Sequence, residues 1–122
     1  MDRAQAIHQF WSQFGLPVYD ENTVPDEAVM PYITYSVATG SIDNIMALSR
    51  SLWYKSTSWE QISKKADEIS AAIEIGGQCV KIGYGYAYFY RGSPFAQRLA
   101  DDSSSLVRRI YLNVNCEFLT DK

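Results

Sequence analysis

The sequence predicts an α+β domain, a mainly antiparallel sheet with two principal helices packed on one face. Three observations carry that expectation. Two stretches place apolar residues at three- and four-residue spacing, several others alternate apolar and polar residues strictly, and the two kinds do not succeed one another as repeated βαβ units. A chain of 122 residues fits one core, so residues 1–122 read as a single domain without internal repeats.

Taken in order, the first element is an amphipathic helix carrying Ala4, Ile7, Trp11 and Phe14, with Asp2 and Gln5 as a capping box and Gly15 as its stop. Pro17 cannot continue that helix and holds Leu16 in the β region, so Leu16 to Tyr19 reads as a short extended piece. Asp20 to Pro31, acidic and with two prolines, reads as a surface loop. Tyr32 to Thr39 alternates, with Ile33, Tyr35 and Val37 on one face and Thr34, Ser36 and Ala38 on the other. After a turn at Gly40 to Asn44, Met46, Leu48, Leu52 and Tyr54 alternate with Ala47, Ser49, Ser51 and Trp53. This predicts a β-hairpin with Arg50 as the one charge in its apolar register.

Ser58 and Gln61 form a second capping box ahead of Trp59, Ile62, Ala66, Ile69 and Ile73, the apolar stripe of a helix that stops at Gly76-Gly77. Cys79 to Arg91 is β-rich, with Gly83 and Gly85 read as strand bends, and Pro94 to Ser105 reads as a loop. The last long strand, Leu106 to Leu119, turns Ile110, Leu112, Val114, Cys116 and Phe118 inward. Arg109, Tyr111, Asn113, Asn115 and Glu117 point outward, so the far face of the sheet is wet or meets a neighbour.

Composition narrows the function. A net charge of −3 argues against broad nucleic-acid binding, which draws on clustered Lys and Arg. No apolar run is long enough to span a bilayer, and the amino terminus lacks the layout of a signal peptide, so a cytosolic chain with no membrane partner is expected. Cys79 and Cys116 then read as two buried thiols. His8 is the single histidine, so a triad, a Cys-His dyad or a zinc site has too few parts, and neither catalysis, metal nor cofactor is expected. Gly83-Tyr84-Gly85 lacks the third glycine and the following helix of a phosphate-binding loop. Asp101 and Asp102 before Ser103-Ser104-Ser105 read as a polar loop.

The unusual feature is Tyr84, Tyr86, Tyr88 and Tyr90, which a period of two projects from one face, with Gly85, Ala87 and Phe89 opposite. Two readings stay open. The stripe packs beneath a helix with its hydroxyls at the edge, or it is a surface for a protein partner or a sugar.

From Arg91-Gly92-Ser93-Pro94-Phe95-Ala96-Gln97, through an acidic loop, to Arg108-Arg109-Ile110-Tyr111-Leu112-Asn113-Val114 and Glu117-Phe118-Leu119, the chain resembles the tail terminator, or tail-to-head joining, proteins of long-tailed bacteriophages. The first helix, Leu16-Pro17-Val18-Tyr19 and Pro31-Tyr32-Ile33-Thr34-Tyr35 extend the resemblance over most of the chain. It implies a virion protein at the head-tail junction, assembled in the bacterial host cytoplasm. There it forms a homohexameric ring that ends the tail tube and meets the head connector, with DNA only passing through the lumen. Under it, Tyr84, Tyr86, Tyr88, Tyr90, Arg91, Phe95, Arg108 and Arg109 are the expected partner interface, with the Gly40 to Asn44 tip and the Pro94 to Ser105 loop contributing to ring or tube contacts. A neck or head-completion protein, and a cytosolic ligand- or sugar-binding domain using the tyrosines, are the alternatives.

Overall fold

Arg3–Ser12 forms α1, whose buried face is wider than its spacing predicts: Ala6 and Phe10 join Ile7, Trp11 and Phe14 in the core. The computed structural model describes residues 3–36, 46–47, 50–73, 76–83, 85–99 and 106–120, so the capping residue Asp2, the Gly40 to Asn44 turn and the Asp101 to Ser105 segment lie outside the described residues. Gly15 ends the helix region at φ +79°, a conformation that favours glycine. The ammonium of Lys65 donates to the Phe14 carbonyl at 3.1 Å, tying this end to the second helix.

The strands are β1 (Val18–Asp20), β2 (Tyr32–Tyr35), β3 (Met46–Ala47), β4 (Arg50–Lys55), β5 (Gln78–Ile82), β6 (Gly85–Leu99) and β7 (Val107–Thr120). They form a seven-stranded sheet in the order β1-β2-β4-β7-β6-β5, with β3 beside β7. The expected hairpin is present as the antiparallel β2–β4 pair, from Tyr32↔Trp53 to Tyr35↔Arg50. Along β7, β3 and β4 keep one register, from Met46↔Cys116 to Lys55↔Val107, as the uninterrupted alternation from Met46 to Tyr54 requires.

Three expectations are corrected. The sheet is mixed, because β1 lies parallel to β2, Val18↔Ile33 to Asp20↔Tyr35. The segment from Glu21 to Pro31 is long enough to carry the chain back for a parallel start. Secondly, β6 does not stop at Arg91. It continues to Leu99 beside β7, with a register shift between Arg91 and Ala96 that absorbs Gly92 and Pro94, so Pro94 to Leu99 is strand and not loop. Thirdly, Gly83 is no strand bend: Ile82 pairs with Gly85 across a tight turn that contains it.

Helix α2 is Glu60–Ile73, and its stripe of Ile62, Ala66, Ile69 and Ile73 is buried. Ser58 caps it as expected, its Oγ accepting the Glu60 N–H at 3.1 Å. Both helices lie on one face of the sheet. Their buried residues form one cluster with Ile33, Leu52, Ala87, Phe89 and the inward residues Ile110, Leu112, Val114, Cys116 and Phe118 of β7. At its centre Phe10 stacks on Phe89 with centroids 4.0 Å apart, while Trp11 and Phe14 meet Phe10 edge-on.

Arg50 follows its register into this core and is 1% exposed. Among the described residues its Nε and Nη2 have no hydrogen-bond partner, and burial lowers its pKa to about 10, opposed by Tyr111 and Cys116. Cys116 is buried as expected, but Cys79 is exposed, because β5 turns Val80 and Ile82 toward the core and Cys79 and Lys81 away from it.

Candidate functional site

The sheet face away from the helices is the candidate site, and alternation decides what stands on it. Ala87 and Phe89 are fully buried on the helix side, which turns Tyr86, Tyr88 and Tyr90 outward. The tyrosine stripe therefore does not lie beneath a helix. Tyr84 lies outside the described residues.

The three tyrosines differ in how firmly they are held. Tyr86 is 49% exposed, opposite Lys81 on one side and Leu119, itself 47% exposed, on the other. Tyr88 is half-buried, and its hydroxyl donates to the Gly76 carbonyl at 2.5 Å. Its ring fills the space a Cβ would take at Gly77, whose φ of +83° already favours glycine. Tyr90 stacks on Tyr88 with centroids 5.2 Å apart. Burial first, then the Glu117 carboxylate, raises the Tyr90 pKa.

Across β7 and β4 the same face carries a layer of linked side chains. The Arg109 guanidinium lies over the Trp53 ring, 4.6 Å from its centroid, and its Nε donates to Ser51 Oγ at 3.0 Å. Trp53 Nε1 donates in turn to Thr34 Oγ1 at 2.8 Å. These contacts explain why Ser51 and Thr34, polar and on the helix-free side, are buried. Beyond them Tyr19 and Tyr32 meet edge-on at 5.5 Å. The face thus presents two aromatic groups, Tyr86, Tyr88 and Tyr90 at one end of β7 and Trp53 with Tyr19 and Tyr32 toward the other, with the Arg109 guanidinium and the Ser51 and Thr34 hydroxyls beside Trp53.

The remaining expected interface residues stand on the other side. Arg91 pairs with buried Val114, and its Nη1 donates to Ser70 Oγ of α2 at 2.7 Å. Phe95 packs half-buried against the core cluster. Arg108 donates through Nη2 to the Thr57 carbonyl at 2.8 Å and lies 5.3 Å from the Trp59 ring centroid, which Arg98 approaches at 4.9 Å. The seven expected residues that are described therefore divide: Tyr86, Tyr88, Tyr90 and Arg109 share the open face, while Arg91, Phe95 and Arg108 border the helices. Trp53 is absent from that expectation, although its place on the face of Ser51, opposite Leu52 and Tyr54, marks it as outward in an alternating strand.

Other chemistry has little to work with among the described residues. No three His, Cys, Asp or Glu side chains come together there. His8 is exposed, with Nδ1 3.3 Å from the Tyr35 hydroxyl. No described helix is long and apolar enough to cross a membrane.

No family model matches the chain, and no curated protein matches it. Among solved structures, a chain in the virion of a native gene transfer agent particle shares the fold. The TM-score is 0.65, over 95% of this chain and 93% of that one, at 16% sequence identity.

Proposed function

We propose that this chain is a structural virion protein of a phage-like particle, a single tail-terminator-like domain without enzymatic activity. In this reading it forms a homohexameric ring at the head-tail junction that ends tail-tube growth and offers a surface to the head connector, with DNA passing through the lumen unbound. The observation that carries the reading is the fold shared almost end to end with a component of a gene transfer agent virion. The phage-like motifs of the sequence point the same way. So does the helix-free face, whose exposed aromatic rings suit a protein partner. A sugar platform is disfavoured, because Tyr88 and Tyr90 stack on each other and the Tyr88 hydroxyl is engaged by Gly76.

The test is to assemble particles without this protein and measure their tails by negative-stain microscopy. Overlong tails are the expected result. Tails of normal length that fail to join filled heads would replace the terminator role with that of a head-completion protein, and normal, joined particles would sink both.

A further inference from the structure

We propose that copies of this chain meet head to tail, with Val29 of one copy seated in the cleft between α2 and β6 of the next and its acidic neighbours Asp26 and Glu27 facing Arg98. The contact rests on the ring reading above and names the surfaces that would build it.

Val29 is the plug. At 77% exposure it is the most exposed large hydrophobic side chain among the described residues. It follows a turn closed by the Ala28 N–H donating to the Pro25 carbonyl at 3.0 Å, so the aliphatic tip is held out on an ordered loop. Glu21, Asp26 and Glu27 on the same loop are exposed. Among the described residues the one ion pair is Lys65–Glu68, so these carboxylates are not neutralised by an ion pair.

The socket is a cleft of about 140 Å³ lined by Ser63, Ala66 and Asp67 of α2, Ala96 and Arg98 of β6, and Ile110 of β7. It exists because small residues meet there: Ala66 on the helix and Ala96 on the strand leave the buried Ile110 as its floor. Among the described residues β5 pairs only with Gly85 to Phe89, which leaves the rest of β6 without a strand on that side. Arg98 stands at the lip, exposed and steadied over Trp59. Asp67 lines the helix side, so an acidic plug is repelled from α2 and drawn toward the strand, which orients it.

Plug and socket are different surfaces of one copy. Val29 belongs to the loop that joins β1 to β2, whereas the socket is built on α2, β6 and β7, with β6 four places from β1 in the sheet order. A surface joined to a different surface of its own copy makes a heterologous contact, the kind that closes into a ring.

The test weighs the protein by light scattering, alone and on tail tubes, after circular dichroism has shown each variant folded. Val29→Ser spoils the plug, whereas Ala96→Leu fills the socket and Arg98→Glu reverses its lip. Each variant alone is expected to raise the dissociation constant between copies at least about tenfold. Mixing Val29→Ser with Ala96→Leu restores one good contact and yields a two-chain, one-to-one complex that cannot grow. Variants that assemble like the wild type would overturn the contact and leave the ring reading standing. A wild-type chain that remains single, in solution and on tubes, would overturn the ring reading and the contact with it.

Discussion

The two faces of the sheet are built by different physics. Toward the helices, Phe89, Leu112, Val114 and Cys116 are fully buried and make contacts that depend on shape and on exclusion of water. Away from them, Trp53, Arg109, Ser51 and Thr34 hold one another by a cation–π contact and two hydrogen bonds, while Tyr86 stands in solvent. The helix side supplies the stability of the fold. The open side is ordered enough to present a fixed surface and apolar enough to gain from being covered.

Truncation should separate the faces most sharply. Phe89→Ala removes the ring stacked on Phe10 and is expected to cost about 3 to 5 kcal/mol in urea unfolding. Arg50 tests the one place where the helix side breaks its own rule. Because the buried guanidinium leaves two nitrogens without partners, Arg50→Leu is expected to stabilise the protein by roughly 2 kcal/mol at neutral pH. The alkaline limb of stability sharpens this. Tyr35, Tyr54 and Tyr90 have pKa values raised by burial above the ordinary value of 10, so the unfolded chain gives up these protons first and stability falls as pH rises past 10. Arg50 acts oppositely: its lowered pKa means that the unfolded chain holds the proton longer, and stability gains above about pH 10. The Arg50→Leu variant should therefore lose stability more steeply than the wild type above pH 10. An equal or shallower slope would show that Arg50 is not the opposing group.

On the open face the expected effects are smaller. Arg109→Ala removes the cover of Trp53 and Ser51 and is expected to cost about 1 kcal/mol. Tyr86→Ser should change stability by no more than about 0.5 kcal/mol and yet leave a folded chain that no longer binds the protein partner of the open face. Loss of fold in that variant would move Tyr86 from the partner surface to the scaffold.

What was legible in the sequence follows the same division. Alternation over β7 and the 3.6-residue stripe of α2 named their buried residues correctly, because each pattern is long and its buried positions are apolar. The direction of β1 was not legible: a three-residue strand has the same alternation whether it pairs parallel or antiparallel. Gly92 and Pro94 carried the usual signs of a loop, yet the bulge lets β6 pass through them, since a Cβ at position 92 would run into the Asn113 side chain. Arg91 sits beside Tyr90 in sequence but one step along the strand, hence on the opposite face. The Arg109–Trp53 layer depends on register between strands far apart in the chain, which no local pattern encodes.

The ring of Tyr88 occupying the place of a Gly77 side chain ties two positions together in descent as well as in space. A lineage that replaced the glycine would have to displace or surrender the large ring at 88, and so disturb the partner on which Tyr90 rests. Position 77 lies at a helix exit rather than on the aromatic surface, yet drift there would redraw that surface. Substitutions at 77 and 88 should therefore travel as a pair.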